Sequence, residues 1–300
     1  MSDRPGPVGF RISATQSAGL EWSRLDEAWG AAGEEPAFAA GWMSDHLSDA
    51  SRERGGPAFE SFTLAAALAR RVPGKWVGIA VASATFRHPA LTAKAATVLD
   101  NVTAGRFILG LGAGWHAGEH DAYSIPLPPI GERFDRLESA LRVISALFSP
   151  AATRPEGVTL DDPTWPLHGA TNIPAPLSAN GPPIWLGVLR PRGRALAARF
   201  ASGWPMPGNR PGDVQLFTEQ RDLLRAALEE AGRDPDDFDF AAQISTRPSD
   251  GDLSDARETG MRFLQAGATH LILGLPATDG PAGVRRLANE VAEPLRAAAR

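Results

Sequence analysis

The sequence predicts an α/β fold, a closed (β/α)8 barrel of the TIM type, and the alternation of its predicted elements supports this. Short β-rich runs alternate with amphipathic helical runs along the 300 residues, eight of each. Parallel strands need long, usually helical crossovers, and eight such units suffice to close a barrel. One long irregular segment, Pro150 to Pro183, interrupts the alternation. A doubly wound open sheet is the alternative, because periodicity alone does not decide whether a parallel sheet closes.

The predicted strands are short and mostly apolar, as buried parallel strands are. They are Val8–Thr15, Ala37–Ser44, Trp76–Ala82, Arg106–Gly112, Ile184–Gly187, Gly203–Met206, Phe238–Ser245 and Thr269–Gly274. The predicted helices are Leu20–Ala32, Phe59–Arg71, Pro89–Val102, Glu132–Phe148, Arg192–Ala201, Asp213–Ala231, Ser254–Ala266 and Gly283–Ala298. We expect one domain over residues 1–300, with an insertion at about 150–183, after the fourth helix, near the barrel mouth.

The helix Glu132–Phe148 has the clearest pattern, because its apolar residues recur at helical spacing on one face. They are Phe134, Leu137, Leu141, Ile144 and Phe148. Pro89 is suited to a first helical turn, and Gly232 and Gly267 are placed as C-terminal caps.

Composition excludes several classes of function. The net charge is -5 without a basic cluster, which argues against nucleic-acid binding. The chain has no cysteine, so disulfides, thiolate nucleophiles and cysteine-bound zinc are excluded. It shows neither a signal sequence nor an apolar run of the roughly 20 residues that span a membrane. We therefore expect a cytoplasmic protein without membrane association.

Active sites of barrels lie at the carboxyl ends of the strands, where Asp45 and His46 follow the second predicted strand. An imidazole beside a carboxylate is suited to proton transfer near neutral pH, or the pair simply caps the loop. After the third strand, Arg87 and His88 either bind an anion or anchor the helix that Pro89 begins, and the second interpretation is favoured.

His116, Glu119 and His120 form an H-x-x-E-H pattern after the fourth strand. Such a pattern binds zinc only on a helix, and Gly118 and the preceding glycines disfavour one. We expect no metal site, and interpret the segment as a loop whose Glu119 and His120 line the barrel mouth or fasten it.

The loop after the fifth strand carries Arg190, Arg192 and Arg194 beside a predicted helix start. Arginines and helix amides together are suited to a phosphate, although a solvated turn has the same composition. Four tryptophans near strand ends would suit either a planar ring system or ordinary packing; they are Trp42, Trp115, Trp185 and Trp204.

Several segments resemble the luciferase-like family. They include "WMSDHL", "TFRHPALTAKAATVLDNVTAGRFILGLGAGWHAGEH", "PPIWLG" and "GATHLILGLP". This family contains bacterial luciferase, flavin-dependent monooxygenases of alkanes and sulfonates, and coenzyme F420-dependent dehydrogenases and reductases. Its members fold as TIM barrels with one insertion region, in agreement with the pattern of the sequence.

The resemblance implies a site for a deazaflavin or flavin ring. It places Asp45 and His46 near the ring, with His46 in proton or hydride chemistry. It implies a non-proline cis peptide bond near Ala80-Val81 behind the ring, and a cofactor-facing Ser83. The glycine turn implied to contact the cofactor through its backbone is Ala113-Gly114-Trp115.

Two positions depart from the family pattern. Trp115 stands where the F420-dependent sugar-phosphate dehydrogenases have a catalytic glutamate. The phosphate loop, usually "GGSGPRAL", has lost two glycines and a serine; here it comprises Gly187, Val188, Leu189, Arg190 and, further on, Arg194. Arg190 offers a charge in place of the lost backbone contacts.

The sequence thus predicts an oxidoreductase that uses coenzyme F420 for hydride transfer to or from a small organic substrate. The alternatives are a monooxygenase dependent on reduced FMN on the same barrel, and a non-catalytic ligand-binding barrel that has lost its cofactor. The family resemblance also allows a homodimer.

Overall fold

The computed structural model describes residues 4–13, 21–48, 57–247 and 252–299. Ten strands lie within these ranges. They are β1 (Val8–Ser13), β2 (Ala40–Met43), β3 (Trp76–Ser83), β4 (Phe107–Gly112), β5 (Val158–Leu160), β6 (Leu167–Ala170), β7 (Ile184–Leu186), β8 (Gly203–Pro205), β9 (Asp239–Ser245) and β10 (His270–Pro276).

Eight of these strands close into a barrel in the order β1-β2-β3-β4-β7-β8-β9-β10, with β10 paired back to β1. All neighbouring pairs in the barrel are parallel. The predicted TIM barrel is confirmed, and the open sheet is wrong, since no barrel strand has an unpaired edge. The predicted end of the first strand, Thr15, lies outside the described residues.

Ten α-helices lie in the described ranges, between the strands or after the last of them. They are α1 (Trp22–Glu34), α2 (Ser61–Leu68), α3 (Pro89–Val102), α4 (Ala117–Ala122), α5 (Ile130–Phe148), α6 (Pro191–Phe200), α7 (Val214–Glu230), α8 (Ser254–Gln265), α9 (Gly280–Leu287) and α10 (Glu293–Ala298). The apolar face predicted for α5 is buried at Leu137, Leu141, Ile144 and Phe148. Gly232 and Gly267 have positive φ after α7 and α8, as C-terminal caps do.

Two predicted helical features were wrong in detail. The segment expected as a loop after the fourth strand contains α4, because the ring of His116 accepts a hydrogen bond from the Glu119 amide and caps its first turn. The last predicted helix begins earlier, at Gly280, and widens into a π turn at Ala288–Ala292 before α10. Pro294 accounts for the π turn, since it has no N–H to donate four residues back.

Large side chains fill the barrel interior towards the amino ends of the strands. The Trp42 and Trp185 rings lie 4.8 Å apart, and Trp42 Nε1 donates to His270 Nε2 at 2.8 Å. Trp204 packs outside the barrel against Phe217. These three tryptophans are therefore explained by core packing, and of the four at strand ends only Trp115 is exposed.

The insertion Pro150–Pro183 contains the antiparallel hairpin β5–β6 and contacts α3 and α5. Asn172 Nδ2 donates to Thr97 Oγ1 at 2.9 Å, and Ser178 donates to Asp100. We expected this segment near the barrel mouth, but only its tip reaches that end, where Trp165 contacts the ring of His88. Its buried polar contacts to α3 explain the difference, because they fasten it along the helix.

No helix in these described ranges has the length and apolar character needed to cross a bilayer.

Candidate active site

Asp45 lies at the carboxyl end of β2 and is buried among four donors. Both carboxylate oxygens accept from Arg87, at 2.7 and 2.8 Å, and they also accept from the Ser61 hydroxyl and the Ser83 amide. A buried carboxylate with this many donors is held rigidly. Asp45 therefore fixes the start of the loop after β3, and no hydrogen bond joins it to His46 within the described residues.

Glu119 takes the orienting position instead. Its Oε2 lies 2.9 Å from His46 Nδ1, and its Oε1 accepts from the amides of Leu47 and Ser48. A carboxylate only accepts, so His46 Nδ1 carries the hydrogen and Nε2 is the basic nitrogen. Nε2 has no protein hydrogen bond within the described ranges, and the His46 side chain is 22% exposed.

The Glu119 side chain is 1% exposed, yet its charged form is favoured. Burial by itself raises the pKa of this carboxyl group, but hydrogen bonds from His46 and the two loop amides outweigh burial and hold the pKa below its ordinary value. Glu119 is therefore an anion at neutral pH, and it favours a positive charge on His46 during proton transfer.

A second chain of hydrogen bonds ends at Ser83. His120 Nδ1 donates to the His116 carbonyl at 2.8 Å, and His120 Nε2 lies 2.7 Å from Thr85 Oγ1, which lies 2.7 Å from Ser83 Oγ. With neutral His120, Nε2 accepts from Thr85 and Thr85 accepts from Ser83. The Ser83 oxygen then has lone pairs available for an N–H of a bound ring.

These contacts also explain why H-x-x-E-H is not arranged as a zinc site. His116 caps α4, His120 bonds to Thr85, and Glu119 holds His46. The described residues contain no group of three His, Asp or Glu side chains arranged to hold a metal ion.

The upper wall of the barrel on β3, β4 and β7 is a cradle of small residues around Val81. A Cβ added to Gly112 would lie 2.9 Å from Val81 Cγ2, and one added to Gly187 would lie 3.0 Å from the same atom. The peptide bond between Ala80 and Val81 is cis, as the resemblance implied. The two glycines leave room for the Val81 side chain, because they present no side chain of their own to it.

The glycine turn after β4 lies against the same wall. Gly114 has φ +78°, and a Cβ there would lie 2.5 Å from Thr85 Oγ1 and 2.8 Å from Ser83 Oγ. Its carbonyl accepts from Arg133 on α5. Trp115 follows with 62% of its surface exposed, and its ring meets the His46 ring edge to face at 6.0 Å.

The loop after β7 offers one unpaired guanidinium. Arg192 bonds to Asp135, and Arg194 bonds to the Leu189 carbonyl and Gln220. Arg190 is exposed at the N-terminus of α6 and has no side-chain partner among the described residues. This loop can therefore present one charge and the free amides of the first turn to an anion.

Comparison with known proteins identifies the family. The profile of luciferase-like monooxygenases matches residues 9–297. The F420-dependent glucose-6-phosphate dehydrogenase of Microbacterium testaceum is 31% identical over 244 residues, which cover 80% of this chain and 68% of that protein. The chain belongs to the luciferase-like monooxygenase family.

Two further proteins similar to this chain carry the names of oxidoreductases. The phthiodiolone/phenolphthiodiolone dimycocerosates ketoreductase of Mycobacterium tuberculosis is 32% identical over 238 residues, and the match spans 73% of this chain but 60% of the ketoreductase. An F420-dependent secondary alcohol dehydrogenase, solved with an F420-acetone adduct, has the same fold with a TM-score of 0.78. Its sequence is 16% identical, and the match covers 99% of this chain and 100% of that one. The chain thus spans about 60% of the length of the ketoreductase that it matches, and it shares its fold with the solved dehydrogenase.

Several predicted site residues lie together at one end of the barrel, but the sequence did not predict how the residues there pair. The structure brings Ser83, Gly114, Trp115 and His46 to one end of the barrel, whereas the Val188 side chain is buried under Gly193 of α6. The pairing of His46 with Glu119 was missed, since 73 residues separate them. The only signal was the acid in the H-x-x-E-H pattern, for which the sequence predicts a place at the mouth but no partner.

Proposed function

We propose that the protein is an F420-dependent oxidoreductase that moves a hydride between the deazaflavin ring and a small organic substrate. The observation that carries the proposal is His46, held by the buried Glu119 carboxylate at the same barrel mouth as the glycine cradle around Val81. The F420-dependent relative supports this cofactor over FMN.

The residues of the mouth fit a deazaflavin. The wall of Val81, Gly112 and Gly187 supports a flat face, and Ser83 has lone pairs for a ring N–H when His120 is neutral. Arg190 and the first amides of α6 would hold the phosphate, and Gly114 would approach the cofactor side chain through its backbone.

Bound F420 would supply the site that gives or takes a hydride. His46 Nε2 exchanges the accompanying proton with the substrate oxygen, because Glu119 fixes the hydrogen on Nδ1. The Glu119 charge stabilises the imidazolium that forms when Nε2 takes up this proton. Asp45 holds the Ser83 amide and Arg87, so that the mouth keeps its shape.

A monooxygenase dependent on reduced FMN is the second candidate, because the matching family profile is that of the monooxygenases. The cradle around Val81 would support either ring in the same way. Oxygen uptake with a supplied flavin reductase distinguishes this function from hydride transfer.

A titration of the purified protein with oxidised F420 and, separately, with FMN tests the proposal through ring absorbance and fluorescence. We expect micromolar F420 binding, weaker FMN binding, and F420 binding retained by His46→Ala. Tighter FMN binding would favour the monooxygenase. Binding of neither cofactor would favour a barrel that only binds a ligand.

A further inference from the structure

Arg11 is a cation inside the barrel mouth without an acidic partner. It lies on β1, two residues after Gly9, whose added Cβ would meet the rings of Trp42 and His270 inside the barrel. Side chains alternate along a strand, so Arg11 also points inward, nearer the carboxyl end where barrel sites form.

The protein contacts of Arg11 come from an uncharged side chain. Its Nη1 donates to Gln243 Oε1, and Gln243 Nε2 donates in turn to the Met206 carbonyl, which fixes the amide oxygen towards Arg11. No carboxylate pairs with Arg11 in the described ranges. Removal from water lowers the pKa of this guanidinium, and no nearby charge offsets that effect.

Arg11 is partly buried. A cation that is partly removed from water and has no counter-ion destabilises the folded protein, so its place at the mouth needs another reason. The Nε–Nη2 edge of the guanidinium makes no protein hydrogen bond in the described part of the chain. That edge faces Gly274, where an added Cβ would lie 3.5 Å from Nη2 and 3.8 Å from Nε. Two parallel N–H groups form the fork that matches a carboxylate.

The order of the strands around the barrel places the Nε–Nη2 edge of Arg11 opposite the cradle. Arg11, Gly274 and Gln243 lie on the adjacent strands β1, β10 and β9, whereas the cradle lies on β3, β4 and β7. His46 follows β2, which lies between the two groups of strands on one side. A molecule bound by Arg11 would therefore reach across the mouth, past His46, to the cradle.

We propose that Arg11, oriented by Gln243, binds a carboxylate of the substrate, so that the protein acts on small organic acids that carry a carbonyl or hydroxyl group. The assignment to a substrate rests on the proposed oxidoreductase function. The anion site itself rests only on the contacts of Arg11.

Calorimetric titration of the cofactor-free protein with benzoate, and with benzamide as a neutral analogue of the same shape, tests the site at constant ionic strength. We expect benzoate to bind the wild-type protein and benzamide to bind at least about tenfold more weakly, since the fork needs a carboxylate. Arg11→Met should weaken benzoate binding by about tenfold or more. Arg11→Lys keeps the charge without the fork, so its affinity for benzoate should lie between those of the wild-type protein and Arg11→Met.

Arg233→Met is the matched control, because Arg233 is also partly buried but donates to the Ala198 and Ala201 carbonyls away from the mouth. It should keep wild-type benzoate affinity. Benzoate binding unchanged by Arg11→Met, no binding to the wild-type protein, or equal binding of benzamide would overturn the anion site. Inorganic phosphate binding through Arg11 as tightly as benzoate would overturn its assignment to a carboxylate.

The benzoate titrations and the cofactor titration can fail independently of each other. Benzoate binding through Arg11 in a protein that binds neither F420 nor FMN would keep the anion site and reject the oxidoreductase proposal. F420 binding without benzoate binding would reject only the anion site.

Discussion

At the scale of single residues, the site depends on which carboxylate holds His46. Two acidic residues compete for that position in the sequence, Asp45 next to it and Glu119 far along the chain. Asp45 accepts hydrogen bonds from Arg87, Ser61 and the Ser83 amide, and the partner of His46 is Glu119. Burial and hydrogen bonding, rather than proximity in sequence, select the positioning residue.

Glu119→Gln should lower the turnover number at least about tenfold, within the range that positioned acid–base groups contribute. The introduced amide would keep its oxygen on the loop amides and turn its NH2 towards His46, so Nδ1 would become the acceptor and Nε2 would carry the hydrogen. Steady-state kinetics, together with nitrogen NMR of the His46 tautomer, measure both effects.

Asp121→Asn is the control, because Asp121 is an exposed acid on the same short helix α4. It should change neither the kinetics nor the His46 tautomer. If Glu119→Gln left the tautomer on Nδ1–H, the orienting role of Glu119 would be wrong.

At the scale of elements, the cradle depends on glycines carried by its strands and by the residues that follow them. Gly112 on β4 and Gly187 after β7 leave the space that Val81 occupies. Gly131, in the first turn of α5, has no neighbouring atom within 4 Å of an added Cβ. Substitution by alanine should therefore displace a neighbouring side chain at Gly112 but not at Gly131.

Gly112→Ala should push Val81 towards the ring site and weaken F420 binding about tenfold, because the added Cβ would lie 2.9 Å from Val81 Cγ2. Gly131→Ala should leave binding unchanged and stabilise the protein by roughly 0.5–1 kcal/mol, since alanine favours a helix. Fluorescence titration and denaturant unfolding measure the two effects. Equal binding by both variants would argue against the ring lying beside Val81.

The elements themselves were largely predictable, whereas their contacts were not. The period of α5 and the apolar runs of the barrel strands are local properties, and they predicted those elements. The short helix α4 was missed because its cap is a histidine ring, and the insertion was misplaced because Asn172 and Ser178 bind Thr97 and Asp100 some 75 residues away. Polar contacts over such separations leave no periodic signal in the sequence.

At the scale of the whole molecule, closure brings β1 beside β10 and buries His270 under Gly6 and Trp42. Nε2 of His270 accepts from Trp42, and Nδ1 donates to the Gly6 carbonyl at 2.6 Å. Burial lowers the pKa of His270 from 6.5 to about 4. This neutral histidine joins the two ends of the barrel sheet, so its protonation should act on global stability.

Between pH 6.5 and about 4 the unfolded chain binds a proton at this position and the folded protein does not. Stability should therefore fall as the pH is lowered through this window, by roughly 3 kcal/mol from His270 alone, and the loss should level off below it. His270→Gln should unfold more easily at neutral pH but lose less stability on acidification.

Denaturant unfolding over a pH series measures the slope, and His168→Gln, at an exposed histidine of β6, is the control that should keep the wild-type slope. An unchanged slope in His270→Gln would mean that His270 already binds its proton in the folded protein.

The predicted homodimer and the extent of one domain over residues 1–300 stay predictions.

A crystal structure of the protein with oxidised F420 tests the central claim most directly. We predict the ring beside Val81 with an N–H within hydrogen-bond distance of Ser83, the phosphate near Arg190, and His46 Nε2 facing the reactive side of the ring. A ring bound elsewhere, or no bound cofactor at saturating F420, would contradict the assignment of this barrel mouth as an F420 site.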